Sequence, residues 1–210
     1  MPTCHPLTIS PVLNIIFLHY VAVYPTTLNM RTHVVPPPPP YSVLDIGVGN
    51  GKYGMLIREY LDGCWFDRRY EDPETWRVRL VGVEPFQRYI TGVHTYHYDK
   101  IIIADILDVV RKGKDSELNG EIFDVILISD MIEHVTMEEG KELLHELNNY
   151  LAPGGIIVVS TPNSFFAQKE VDYNIYETHK CQWHEKDFNE LKDYNVWATV
   201  NAGTLIVKLS

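Results

Sequence analysis

The sequence predicts one α/β domain: a doubly wound, mostly parallel sheet of seven strands that closes with a C-terminal antiparallel hairpin. Three observations predict it. From Tyr41 onward, short β-branched and aliphatic runs alternate with segments of helical periodicity, as a parallel sheet with crossover helices requires. The first of those runs leads directly into a loop with three alternate glycines. The last two flank Asn201-Ala202-Gly203, a hairpin connection that puts an antiparallel strand near the sheet edge.

Each element has its own signal. Ser42–Ile46 is a short apolar run ending in glycines, and Lys52–Leu61 carries Tyr53, Leu56, Ile57 and Tyr60 on one side at helical spacing. Arg79–Val83, Lys100–Ala104 and Asp124–Ser129 read as buried strands. Met137–Leu151 has a helical stripe at Leu143, Leu144, Leu147 and Leu151. Pro153-Gly154-Gly155 predicts a turn, Ile156–Ser160 a fifth strand and Asp187–Leu191 a short helix. Val196–Val200 and Thr204–Leu209 form the hairpin.

The first 40 residues differ in kind. They hold nine of the thirteen prolines, one charged residue (Arg31) and the unbroken run Pro36 to Pro40. The apolar stretch Pro11 to Tyr24 is short for a membrane span, and no Lys or Arg precedes it as a secretory signal would require. The stretch reads either as a helix or strand that packs on the domain or as a poorly ordered leader; the expectation adopted is a proline-rich leader, residues 1–40, outside the core, with the domain covering 41–210.

Composition limits the function classes. With 45% apolar and 22% charged residues the chain reads as globular, and 210 residues suffice for a three-layer core. A net charge of −10 argues against a sequence-independent nucleic-acid binder and against an anionic membrane surface. Cys4, Cys64 and Cys181 have no metal-type spacing, and an odd count suggests free thiols in a reducing, cytoplasmic compartment.

The most informative segment is Asp45-Ile46-Gly47-Val48-Gly49-Asn50-Gly51. Glycines at a strand-to-helix turn let a ligand approach the main chain. The carboxylate two residues before the first glycine would repel a pyrophosphate but suits a cationic ligand, which disfavours NAD. At these residues the chain resembles the class I S-adenosylmethionine-dependent methyltransferases, and the resemblance runs from Tyr41 to the C-terminus. It implies a Rossmann-like fold, S-adenosyl-L-methionine as cofactor, and a role for four further places. Glu84, at the end of Leu80–Val83, takes the position that holds both ribose hydroxyls. Asp105 and Ile106 match the adenine side, Ser129 ends the strand that borders the reacting methyl, and Leu151-Ala152-Pro153-Gly154-Gly155 matches the approach to the fifth strand. Asp45, Gly47, Gly49 and Gly51 occupy the positions that lie against the cofactor's amino-acid moiety. One departure is the 39-position separation of Asp45 from Glu84, about twice that of a βαβ unit. The excess, Asp62–Trp76, carries Trp65, Phe66, Tyr70 and Trp76 and reads equally as an aromatic lid at the substrate or as a surface excursion packed on the first helix.

After the fourth strand comes Ser129-Asp130-Met131-Ile132-Glu133-His134. A helix starting there would align Asp130, Glu133 and His134 on one face, and His179 follows in a later loop. Two carboxylates and two imidazoles make a reasonable divalent-metal set. The pattern resembles the small-RNA 3′-end 2′-O-methyltransferases and the quinone-biosynthesis O-methyltransferases, which implies Asp130, Glu133, His134 and His179 as ligands. Aspartate at position 130, one methylene short, departs from that pattern. Without metal, His134 or His179 would serve as base toward an oxygen or nitrogen nucleophile. All four side chains are expected to converge beside the methyl, beyond the carboxyl ends of the strands. His94, His97, His145 and His184 receive no role. The reading is methyl transfer to a small molecule; RNA 2′-O-methylation and a non-catalytic cofactor-binding module are the alternatives.

Overall fold

The computed structural model describes residues 6–23, 41–63, 69–165 and 167–210. Its strands are β1 (Tyr41–Ile46), β2 (Val78–Val83), β3 (Lys100–Ile102), β4 (Phe123–Ser129), β5 (Leu151–Pro162), β6 (Val196–Asn201) and β7 (Thr204–Leu209). They pair in the order β3-β2-β1-β4-β5-β7-β6. The first five run parallel, and β7 is antiparallel to both β5 and β6. This is the doubly wound, Rossmann-like α/β fold with its closing hairpin.

Side chains alternate through the sheet and make two apolar layers. Leu44, Ile46, Ile126, Ile128, Ile157 and Val159 pack on one side, under α4 (Ile106–Lys112) and α5 (Met137–Leu147). Val43, Val125, Leu127, Val158 and Ile206 pack on the other, with Tyr53 and Ile57 of α2 (Lys52–Ile57). Leu143, Leu144 and Leu147 of α5 are buried as their spacing predicts, whereas Leu151, read from the sequence as part of the same stripe, begins β5 instead, and Thr136 starts the helix with a reciprocal capping box to Glu139.

The leader is where the expectation fails. Helix α1 (Pro6–Val23) buries Val12, Ile16 and Tyr20 completely within the second layer. His19 ties it to the domain through the Tyr41 hydroxyl at 2.8 Å and the Gly154 carbonyl at 2.9 Å. A helix of aliphatic residues on every side covers apolar sheet surface more cheaply than it meets water. The proline run lies outside the described residues.

The long connection between α2 and β2 also resolves one choice. Helix α2 continues as a wider π-type turn, Arg58–Asp62, and Arg58 is fully buried there. Its guanidinium bonds Asp62 and Asp99, each at 3.0 Å, and the His97 carbonyl at 2.7 Å, and lies 4.5 Å from the Trp76 ring centre. Tyr70 donates to His97 Nε2 at 2.7 Å, since His97 Nδ1 already donates to the Val93 carbonyl. Tyr70 and Trp76 thus pack near Val78, where β2 begins, at the opposite end from Glu84. They form packing, not a substrate lid; Trp65 and Phe66 lie outside the described residues.

Ile16→Ala should lower unfolding free energy by about 2–5 kcal/mol, as burial without relaxation predicts. Denaturant unfolding of the full chain checks this. A loss below about 0.5 kcal/mol would mean that α1 is not part of the core.

Candidate active site

The glycine loop leaves β1 at the carboxyl edge of the sheet. Gly47, Gly49 and Gly51 all have left-handed φ (75°, 52° and 74°). A Cβ on Gly47 would stand 3.0 Å from the Met131 side chain, so the residue both turns the chain and clears the cleft. The Gly47 amide donates to the Val83 carbonyl at 2.9 Å, which fixes the loop against the end of β2.

Glu84 follows β2 directly. It is buried, and its two carboxylate oxygens accept from the Gly49 and Phe86 amides, each at 3.0 Å. Glu84 lines the cleft, and each of its oxygens retains accepting capacity, enough for two hydroxyl donors. Burial, with nearby Glu177, pushes the Glu84 pKa up, while the two amides pull it down.

Asp45 stands elsewhere than the sequence suggests. It is buried behind the loop, and Tyr98 donates to its Oδ2 at 2.5 Å. It does not line the cleft, because alternation along β1 turns its side chain to the second apolar layer with Tyr98 and Tyr53. Burial raises its pKa to about 7, against the Tyr98 hydrogen bond.

The cleft has two lobes. One is lined by Gly47, Gly49, Lys52, Glu84, Ser129 and His134 among others, and the second by Val83, Pro85, Asp105, Ile106, Met131 and Tyr176 among others. Asp105 also caps α4, accepting from the Leu107 amide at 2.9 Å. Ser129 Oγ, at the end of β4, lies 2.8 Å from Oγ of its register partner Ser160 on β5.

The Asp130–His134 segment is not the expected helix. Asp130 has a left-handed φ of 48°, its amide is held by the Ser160 carbonyl at 2.8 Å, and only Ile132–His134 form a 3₁₀ turn. Asp130 is thereby aimed at Ser160, 3.4 Å away, and stands outside the cluster that the other three make. Ligand atoms of Glu133, His134 and His179 all lie within 4.8 Å of one another, and the two imidazoles meet edge to face. Glu133 accepts from Thr161 Oγ1 at 2.9 Å, and burial raises its pKa to about 8. Burial and the neighbouring His179 lower the His134 pKa to about 4. Two buried atoms here have no hydrogen-bond partner, Asp130 Oδ2 and His134 Nδ1.

Sequence reasoning missed the far wall. Tyr89 donates to Glu177 Oε1 at 2.8 Å, so the segment after β2 meets the segment after β5 across the cleft. Asn174 and Tyr176 line it as well. No periodicity marks these residues; their role comes from a tertiary contact 88 positions apart.

A carboxyl whose pKa rises on folding stabilises fully below its unfolded value and loses that contribution as pH rises through the folded value. For Asp45 that window runs from the ordinary 3.8 up to about 7. Asp45→Asn keeps an oxygen for Tyr98 and removes the charge, so its stability relative to wild type should climb between about pH 4 and pH 8. Parallel denaturant titrations measure it, and a pH-independent difference would show Asp45 to be solvated.

Residues 20–198 match the profile of a methyltransferase domain family. No curated protein matches the chain significantly. Among solved structures, DhpI in its SAH complex is 12% identical over 99% of this chain and 98% of its own, with a TM-score of 0.57. The N-methyltransferase NodS from Bradyrhizobium japonicum is 14% identical over 95% and 96%, with a TM-score of 0.51. The chain spans half the length of an O-methyltransferase family protein from Burkholderia thailandensis, at 12% identity over 81% of this chain and a TM-score of 0.54. These likenesses concern the fold; the profile match covers most of the sequence, and the chain belongs to the methyltransferase domain family, as a class I S-adenosylmethionine-dependent methyltransferase.

Proposed function

We propose that this enzyme methylates an oxygen or nitrogen of a small-molecule acceptor in the cleft between Glu84 and His134. The observation that carries the reading is the meeting of glycine loop, Glu84 and His134 around one opening at the carboxyl edge of the sheet, with His179 against His134. The residues fit the cofactor: Glu84 retains hydroxyl-accepting capacity, and Gly47 leaves room that a side chain would fill. S-adenosylmethionine, when bound, supplies a methyl group already activated on a sulfonium.

The chain's own work is then placement and proton handling. In this reading the Gly47–Gly51 loop and Ser129 seat the amino-acid end, Glu84 holds the ribose, and Asp105 with Ile106 flanks the adenine. Asp45 acts from behind the loop. Burial keeps His134 neutral, so its lone pair can accept a hydrogen bond from the acceptor and orient it, with His179 beside it to share the departing proton.

The cluster also supports a metal-assisted version. One carboxylate and two imidazoles within reach of a common point suit a divalent ion, and the unpartnered His134 Nδ1 fits a ligand atom awaiting a partner. Glu133, His134 and His179 would hold the ion, without Asp130, and it would supply Lewis acidity near the acceptor. The net charge of −10 favours a small acceptor over RNA. Among the described residues no helix is long and apolar enough to cross a membrane. The free thiol at Cys181 supports a cytoplasmic setting.

Calorimetry should show binding of S-adenosylmethionine and S-adenosylhomocysteine, and none of NAD. Glu84→Ala should lose about 1.5–3 kcal/mol for each ribose hydrogen bond removed. Tight NAD binding without adenosyl-ligand binding would reverse the cofactor assignment. For the metal, chelation should lower turnover, manganese, magnesium or zinc should restore it, and His179→Ala should not be restored. Turnover that ignores the chelator leaves the imidazole-base version alone.

A further inference from the structure

Helix α3 (Gly92–His97) lies behind the glycine loop, and one of its side chains reaches the loop backbone. His94 is fully buried. Its Nδ1 accepts from the Thr91 amide at 3.0 Å, and a backbone N–H can only donate, so Nδ1 carries no proton. The neutral ring therefore has its proton on Nε2, which donates to the Gly49 carbonyl at 3.0 Å. Burial, the largest influence on its pKa, favours this neutral form. Gly49 is thus held from both ends, its amide by Glu84 Oε2 and its carbonyl by His94.

Two further contacts tie α3 to the same loop. A Cβ on Gly51 would stand 3.1 Å from His94 Nε2 and 3.1 Å from Val93, so the third glycine is the one that admits this helix. The residue after α3, Tyr98, stacks near His94 with ring centres 6.0 Å apart and donates to Asp45 at the start of the loop.

We propose that His94 is a positioning residue for the cofactor: its Nε2–H holds the Gly49 carbonyl and thereby sets the glycine loop, and the Gly49 amide on Glu84, in the geometry that receives the ligand. The proposal rests on the cofactor reading above. His94 touches no ligand itself; it acts through Gly49. Its effect belongs to binding, because a loop already in the bound conformation need not be ordered by the ligand.

The two nitrogens can be separated by substitution. His94→Asn keeps an oxygen near the place of Nδ1 for Thr91 but is too short for Gly49. His94→Gln carries an amide nitrogen near the place of Nε2 and can still donate to Gly49. S-adenosylhomocysteine binding to the full chain is measured by calorimetry, alongside thermal unfolding and amide hydrogen exchange of residues 47–51. The expected result is about five- to tenfold weaker binding and faster loop exchange for Asn, with Gln within about twofold of wild type. A merely structural role would instead weaken both variants in proportion to their loss of stability. Asn binding as wild type does, or a folded Gln variant losing as much as Asn, overturns the proposal. If Asn does not fold, the Gln variant decides: retained affinity supports the proposal and lost affinity overturns it. Wild type that fails to bind S-adenosylhomocysteine removes the cofactor reading and this proposal together; wild type that binds, with both variants unchanged, removes this proposal alone.

Discussion

The hydrogen bond from the Gly49 amide to the Glu84 carboxylate is the contact on which the site depends. It joins the loop after β1 to the residue after β2, and it does so at the edge where a doubly wound sheet presents its ligand crevice. The parallel register of β1 and β2, with Ile46 opposite Val83, brings these two chain ends level. Burial makes the bond consequential, because a carboxylate removed from water needs donors, and the loop amide and the Phe86 amide are what it finds. Sheet register, loop conformation and the charge of the cleft are therefore linked through one side chain.

Electrostatics gives the cleft its character. Glu84 and Asp130, which line it, and Asp45 and Glu133, which lie behind its walls, are all withdrawn from water, and for each of them burial is the main reason that the pKa rises. A region holding several carboxyl groups whose ionised forms are poorly solvated gains from a cationic guest. That is the polarity a sulfonium or a divalent ion offers and a pyrophosphate does not.

Much of the fold was legible because the signals were local. Seven strands, the hairpin at Asn201-Ala202-Gly203 and the stripe of α5 follow from periodicity and turn chemistry, and the structure has them. The glycine loop and Glu84 were legible because their spacing and order are set by the strand-to-helix turn. What was not legible depends on distant partners. The expectation for residues 1–40 treated low charge and many prolines as a sign of a detached leader, yet Val12, Ile16 and Tyr20 find an apolar sheet face that the N-terminal sequence cannot announce. The helical reading of Asp130–His134 failed because the Ser160 carbonyl holds the Asp130 amide, a bond between neighbouring strands' ends. His94 drew no role from the sequence, since its link to Gly49 spans 45 positions.

The segment around Asn174–Lys180 borders both lobes of the cleft: Asn174, Tyr176 and Glu177 line the first, and Ile175, Tyr176, Thr178 and Lys180 line the second. It is also the stretch that carries His179. A single stretch of chain thus shapes both lobes of the cleft in which donor and acceptor are proposed to meet. Exchanging it for that of a relative, whether by recombination or by design, would not alter acceptor choice as a separable cassette. The two selectivities would drift together, and a lineage acquiring a new acceptor would have to readjust its hold on the methyl donor in the same steps.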